Sequence, residues 1–298
     1  MENLKTETKI TPETIAQFTR QLQSEEKSAY TIEKYVRDVR AFALFAGEQE
    51  LSKDLLMAYK KHLVESGQYG NASINSMLAS INSFLKFIGR TDCRVANIRV
   101  QKKLYCPDEK SLSQAEYKRL KSAAKSKPRL SMILEVLFST GIRISELKYF
   151  TVEALAQNTI NVSCKNKIRT IIVPTVLRDK LLKYAQRRKI KSGVIFRTKS
   201  GKPVNRSNVW AEMKKLCEKA NVCKSKVFPH NLRKLFAKMF YGRWRDIAQL
   251  ADLLGHSSIN TTRIYIMTTE REVRSRVEQM IQSFGKEKTQ HYPHNVVQ

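Results

Sequence analysis

Residues 254 to 265 read Leu254-Gly255-His256-Ser257-Ser258-Ile259-Asn260-Thr261-Thr262-Arg263-Ile264-Tyr265, and the fold of the chain turns on how this stretch is read. It joins a glycine turn, a histidine, a run of hydroxyl side chains and a tyrosine. Taken alone, Tyr265 carries no chemistry, because the chain holds 11 tyrosines and a lone tyrosine is more often a packing residue. Two upstream stretches change its weight. In Ser139-Thr140-Gly141-Ile142-Arg143-Ile144-Ser145-Glu146-Leu147, Gly141 allows a sharp entry and Arg143 falls in the first turn of a helix. An ion pair with Glu146, three residues on, is the plain reading there. In Phe228-Pro229-His230-Asn231-Leu232-Arg233, Pro229 suits a first helical position, so His230 and Arg233 share one helix face a turn apart. A histidine that moves a proton and an arginine that offers a planar fork of donors together suit a phosphate. A capping histidine beside a solvated arginine is the plainer alternative for that pair.

Bulk properties narrow the partner. A chain of 298 residues is long enough for two modest domains, and 42% hydrophobic residues exclude disorder along its whole length. The 55 Lys plus Arg outnumber 27 Asp plus Glu, for a formal charge of +28. Such a field attracts polyanions and exchanges condensed counterions for protein cations. Ribosomal, histone-like and membrane-surface proteins share that balance, so charge does not select a chemistry. Cys93, Cys106, Cys164, Cys217 and Cys223 are scattered without a CxxC pair, which argues against structural zinc. No metal or cofactor is called for. The opening MENLKTETKITPE has no apolar signal region, and no later run is long enough to span a membrane. The expectation is a reduced, intracellular, soluble protein.

Periodicity predicts a mainly α chain. Ile15, Phe18 and Leu22, then Ile32, Tyr35, Val36, Val39, Phe42 and Phe45, recur at helical spacing. A third helix follows Ser52, a fourth carries Ile74 to Leu85, and the turn cluster Gly67-Gln68-Tyr69-Gly70-Asn71 lies between them. Together they predict a four-helix domain over residues 1–92. A basic linker over 93–110, with Lys102 and Lys103, is expected to touch the polyanion. Residues 111–285 read as a second, mostly helical domain, helical from Ser111 or Ser113 to about Phe150. Its small antiparallel sheet is predicted from β-branched runs flanking Lys165-Asn166-Lys167, with Arg169 beyond and a short strand at Val194-Ile195-Phe196. After Tyr265, Thr269 and Glu272 form a capping box, and Val273, Val277, Met280, Ile281 and Phe284 line one face of a last helix. Residues 286–298 are a polar tail.

The order and spacing of these stretches resemble the tyrosine recombinase (phage integrase) family. The pattern is Thr-Gly-Xaa-Arg-Xaa-Ser-Glu-Leu, a lysine hairpin, His-Xaa-Leu-Arg, then Leu-Gly-His-Ser-Ser-Xaa-Xaa-Thr-Thr-Xaa-Xaa-Tyr, and the likeness extends over about residues 10 to 285. The resemblance implies a SAM-like core-binding domain followed by a catalytic domain. It implies that Arg143 and Arg233 are the two active-site arginines, His230 and His256 the two histidine positions, Lys165 the hairpin lysine and Tyr265 the nucleophile. Two departures stand out. Cys164 replaces the usual turn glycine and the hairpin tip is shorter by a residue, which leaves Lys167 a rival to Lys165. Lys234 stands where many relatives have a second histidine.

The implied chemistry is physically coherent. Phosphodiester cleavage adds negative charge to the non-bridging oxygens, and two guanidiniums, with a further bond from His256, can stand in for a metal ion. A tyrosine hydroxyl, with a reference pKa of about 10, needs nearby cations and a base such as His230. Lys165 would protonate the leaving 5′-oxygen. The resemblance further implies a clamp around double-stranded DNA at specific sites. It implies monomers in free solution that form a homo-tetramer passing through a Holliday junction, in the cytoplasm or nucleoid of a bacterium or mobile element. Lys167 and Arg169 join Lys102 and Lys103 as expected DNA contacts. The apolar face after Tyr265 would pack within its own domain or into a neighbour's groove. Two competing readings are a type IB topoisomerase and a DNA-binding protein with a decayed site. No arm-binding module of the lambda integrase type is expected before the helical domain, which leaves a resolvase, integrase or invertase open.

Overall fold

The computed structural model describes residues 9–100, 111–157, 159–164, 167–198 and 200–286. The chain divides into two compact units, Met1–Lys102 and Lys103–Gln298. Lys102, Lys103 and Lys165 lie outside the described residues, as does the tail beyond Lys286.

In the first unit, α1 (Pro12–Ser24), α2 (Ala29–Ala46), α3 (Lys53–Glu65) and α4 (Asn71–Phe87) form the predicted four-helix set. Thr11, Ser28 and Ser52 cap the first three by accepting a backbone N–H three residues on, which satisfies donors that a helix start leaves open. The apolar faces meet in a core of Phe18, Leu22, Val39, Phe42, Leu56, Leu78, Ile81 and Phe84. The buried carboxyl of Asp38 is satisfied by accepting from Lys34 at 2.7 Å and Ser80 at 2.9 Å. The expected linker begins too early. Cys93 and Val95 are buried in this core, and the side-chain amides of Asn82 and Asn75 on α4 bond the backbone of Val95 and Ile98. Charge and lost periodicity mimic a linker there because the segment is held by side chains instead of a helical ladder.

The second unit opens with α5 (Gln114–Ala123), started by a capping box between Ser113 and Glu116, and α6 (Pro128–Thr140). The helical region expected to reach Phe150 turns at Gly141, where the sequence allows a sharp entry and a φ of +61° terminates α6. A Cβ there would stand 2.3 Å from Phe236 Cδ1, so the close approach admits only glycine. A 3-10 turn (Ile144–Tyr149) and α7 (Val152–Leu155) follow. Strands β1 (Thr159–Cys164) and β2 (Lys167–Ile172) pair antiparallel, with Val162 opposite Arg169 and Ile160 opposite Ile171. The predicted strand at 194–196 is absent. Val194 makes an isolated bridge to Thr151, while Ile195 and Phe196 are both fully buried, a pairing that breaks strand alternation.

The remaining helices are α8 (Thr175–Arg187), α9 (Arg206–Lys214), α10 (Cys217–Ala220), α11 (Pro229–Trp244), α12 (Ile247–Leu254), α13 (Ile259–Ile266) and α14 (Glu270–Lys286). The main core gathers α5, α6, α8, α9, α11 and the inner face of the hairpin. A smaller cluster of Ala237, Leu250, Leu254 and Tyr265, flanked by Phe236 and Phe240, seats α12 and α13 on α11. The predicted Thr269–Glu272 capping box starts α14. The apolar residues of that helix stay uncovered: Val277, Met280, Ile281 and Phe284 are all exposed.

Candidate active site

Three breaks in helix bring the predicted side chains together: the turn after α6, the start of α11, and the connection from α12 to α13. Arg233, on α11, is 1% exposed, the largest of the fully buried side chains. It donates to Gly141 O at 2.5 Å, to Leu254 O at 2.6 Å and toward His256 Nε2 at 3.0 Å. Its buried Nε has no acceptor among the described residues. Among the described residues no carboxylate hydrogen-bonds it, and burial with Arg143 nearby lowers its pKa to about 10.

Arg143 precedes the 3-10 turn and keeps 40% of its side chain exposed. It donates to Glu146 Oε1 at 3.2 Å and to Gly255 O at 3.3 Å. Glu146 is 2% exposed and also accepts from the Arg143 backbone N–H at 2.6 Å and from Arg169 at 2.5 Å. The Arg143–Glu146 pair read as a plain surface contact is therefore real and mostly internal. Arg169 corrects an expectation. Placed among the DNA contacts, it instead turns inward, donating to Leu253 O at 2.6 Å and to Glu146, with its side chain 13% exposed. Period-two alternation explains this, because Arg169 shares a strand face with buried Ile171 while Ile168 and Ile172 face solvent.

The connection at Gly255 and His256 is shaped by the same arginine. Gly255 has φ +62°, and a Cβ there would lie 2.4 Å from Arg169 Cδ. His256 lies 2.9 Å through Nδ1 from Thr262 Oγ1. The ring of Tyr265, 8% exposed, stands 4.9 Å from His230 and 4.8 Å from His256 between centroids. Arg233 Cζ sits over it at 5.7 Å, a cation–π distance. Among the described residues nothing hydrogen-bonds its hydroxyl. A cleft of about 620 Å³ opens beside Arg143, Arg206, Trp210, His230 and Arg233.

Both histidines are half-buried among cations. Burial, then Lys234, Arg233 and Arg143, holds His230 at about 4. Burial, then Arg233, Arg143 and Arg169, holds His256 at about 4. Each is a neutral imidazole at neutral pH, with one ring nitrogen able to accept. Among the described residues no three His, Cys, Asp or Glu converge as a metal site. No helix among them is long and apolar enough to cross a membrane.

Tyr265, Arg143, Arg233, His230 and His256 thus converge. Lys165 lies outside the described residues, and Lys167 is placed only by its backbone, opposite Cys164 at the closing end of the hairpin. Sequence reasoning passed over Glu146 as a site residue and assigned nothing to Thr262. Strand parity would have turned Arg169 inward, and the helical spacing of Thr262 and Tyr265 would have put both on the same side of α13.

Comparisons with known proteins give the family. Residues 110–272 match the model of the phage integrase family, and residues 15–91 match the phage integrase N-terminal SAM-like domain. The tyrosine recombinase XerA of Pyrococcus furiosus is 31% identical over 276 residues, covering 89% of this chain and 93% of that protein. A crystal structure of XerA recombinase superposes with a TM-score of 0.52 at 28% identity, over 90% of this chain and 98% of that one. A lambda integrase tetramer bound to a Holliday junction shares the fold, with a TM-score of 0.67 at 16% identity over 85% of this chain and 76% of that one.

Proposed function

The chain belongs to the phage integrase family and is a DNA strand-transferring enzyme of tyrosine recombinase type, and from that premise we propose that Tyr265 is its nucleophile and forms a 3′-phosphotyrosyl bond. The observation that carries this reading is the packing of one tyrosine ring against His230, His256 and Arg233 at once.

Tyr265 Oη attacks the scissile phosphorus in line with the departing 5′-oxygen. Arg143 and Arg233 bind the non-bridging oxygens, whose charge grows in the transition state. His230, kept neutral, accepts the tyrosine proton. The leaving 5′-oxygen takes a proton from Lys165, and Lys167 is the alternative donor. The bond cleaved and the bond formed are both phosphodiesters, so attack by a 5′-hydroxyl reverses the step without a nucleotide. Exchange of strands between two sites then proceeds through a Holliday junction.

The double-stranded DNA partner follows from the +28 charge together with this site. Assembly as a tetramer in the synaptic complex is supported by the exposed apolar face of α14, which a neighbouring protomer would cover. Action in the cytoplasm, on the nucleoid, completes the reading. The test is a nicked duplex drawn from the DNA flanking the gene, incubated with the protein in EDTA and resolved under denaturing conditions. A covalent protein–DNA adduct is expected from the wild type and none from Tyr265→Phe. An adduct of equal yield from Tyr265→Phe refutes the assignment.

A further inference from the structure

Thr262 lies on α13, is fully buried, and precedes Tyr265 by about one turn. Its Oγ1 is 2.9 Å from His256 Nδ1, and the other ring nitrogen, Nε2, is 3.0 Å from an amino group of Arg233. Arginine has donors and no acceptor. Nε2 must therefore carry the bare lone pair, and the proton of the neutral ring sits on Nδ1, from which it is donated to Thr262. The result is a directed chain, Arg233 to His256 to Thr262, in which each donor meets one acceptor. Burial and the surrounding cations, Arg233, Arg143, Arg169 and His230, independently keep the ring neutral, at about 4.

We propose that Thr262 is a positioning residue: its hydroxyl holds His256 in the Nδ1–H tautomer and so ties the seating of the Tyr265 helix to the aim of Arg233.

The geometry explains why a hydroxyl is needed at a fully buried helix position. A valine would fill the same space, but it would give the Nδ1 proton no acceptor. The other tautomer would then point a proton at a guanidinium and release Arg233 from one of its three bonds. The same chain links elements that are otherwise held by separate contacts. Arg233 belongs to α11, His256 to the turn after α12, and Thr262 to the helix that carries the nucleophile. Displacing α13 would unseat Tyr265 and misdirect the phosphate-binding arginine in one movement. In the protein without DNA, the Nε2 of His256 receives Arg233.

This inference rests on the proposed role of Arg233 and Tyr265, and the experiment separates the two. Long-range ¹H–¹⁵N correlation of the histidine side chains, recorded on the protein without DNA, reads each tautomer directly. His256 is assigned by its loss in His256→Asn. The expected result is a protonated, pyrrole-type Nδ1 and a pyridine-type Nε2 for His256, retained in Thr262→Ser and lost in Thr262→Val. In parallel, the adduct-forming rate at saturating nicked DNA should fall about 10- to 100-fold in Thr262→Val, the range seen when the group orienting a metal-bound imidazole is removed. DNA affinity should hold, and Thr262→Ser should restore the rate. An Nε2–H tautomer in the wild type overturns the proposal. So does a Thr262→Val protein with unchanged tautomer and rate, or a Thr262→Ser protein as slow as Thr262→Val. Failure of the wild type to form a Tyr265-dependent adduct would instead refute the proposed function, and the tautomer would still be readable.

Discussion

Replacing Gly255 by alanine tests how tightly Arg169 binds the active-site turn. Two costs add. Gly255 sits at φ +62°, where a residue with a Cβ is strained by about 1–2 kcal/mol. The new Cβ would also stand 2.4 Å from Arg169 Cδ and 3.1 Å from its Nε. Arg169 cannot swing clear, because its two amino groups are held by Leu253 O at 2.6 Å and Glu146 at 2.5 Å. Forcing a methyl into such a contact costs about 1–3 kcal/mol. The sum, about 2–5 kcal/mol, is a large share of a domain's stability of roughly 5–15 kcal/mol. Both tryptophans, Trp210 and Trp244, lie in the second unit, so urea unfolding followed by their fluorescence reports that unit alone. In an Arg169→Ala background the steric part disappears and only the backbone strain remains. The double-mutant cycle should therefore return a coupling of about 1–3 kcal/mol. An equal cost for Gly255→Ala in both backgrounds would refute the claim that Arg169 packs over this glycine.

Three further outcomes follow from the same contacts. Glu146→Gln removes the carboxylate shared by Arg143 and Arg169 and leaves both guanidiniums without a charged partner; unfolding measurements should show a loss of about 3 kcal/mol, and a loss under 0.5 kcal/mol would mean that the pairs are idle. His230 and His256 have folded pKa values of about 4 against 6.5 unfolded, so the unfolded chain binds more protons between those values. Their contribution is full above pH 6.5 and is lost as pH falls toward 4. His230→Gln should therefore flatten the pH dependence of the melting temperature in that window, and an unchanged slope would count against a buried neutral His230. On α14, Ile281→Glu at a position 61% exposed should leave stability within about 0.5 kcal/mol of wild type and preserve adduct formation. It should sharply reduce Holliday-junction yield, and an undiminished yield would dismiss this face as a protomer contact.

Much of the fold was legible in the sequence because caps and apolar periods are local signals. Ser52, Ser113 and Thr269 each sit where a helix start needs an acceptor, and the apolar spacing marks the four helices before residue 90. What was misread depends on contacts between distant parts of the chain. Arg169 turns inward because its partners, Glu146 and Leu253 O, come from other parts of the chain. Residues 93 to 98 belong to the first unit because two asparagines of α4 bind their backbone, and no local pattern announces that. The convergence of Arg143, His230, Arg233, His256 and Tyr265 was read from motif order, and the chemistry of those residues gave it sense. The roles of Glu146 and Thr262 were not readable in the same way, since each acts on another side chain from a buried position.

The charge balance of the site explains why those buried groups matter. Among the described residues, Arg143, Arg169 and Arg233 bring three guanidiniums to one carboxylate, Glu146, and that carboxylate bonds only the first two. Arg233 is held by carbonyl oxygens and an imidazole lone pair. Those acceptors carry partial charges, enough to satisfy its donors and fix its plane without neutralising it. A second carboxylate at Arg233 would have stabilised the folded protein in isolation, but it would compete with a phosphate for the same fork of donors. Burial first, and the neighbouring cations after it, lower the pKa values of Arg233, His230 and His256. Charge held this way in a water-poor setting attracts a phosphoryl group more strongly as its oxygens gain charge, which favours the transition state over the bound ground state. The neutral acceptors around Arg233, with Thr262 behind His256, are therefore part of the same device as the arginines themselves.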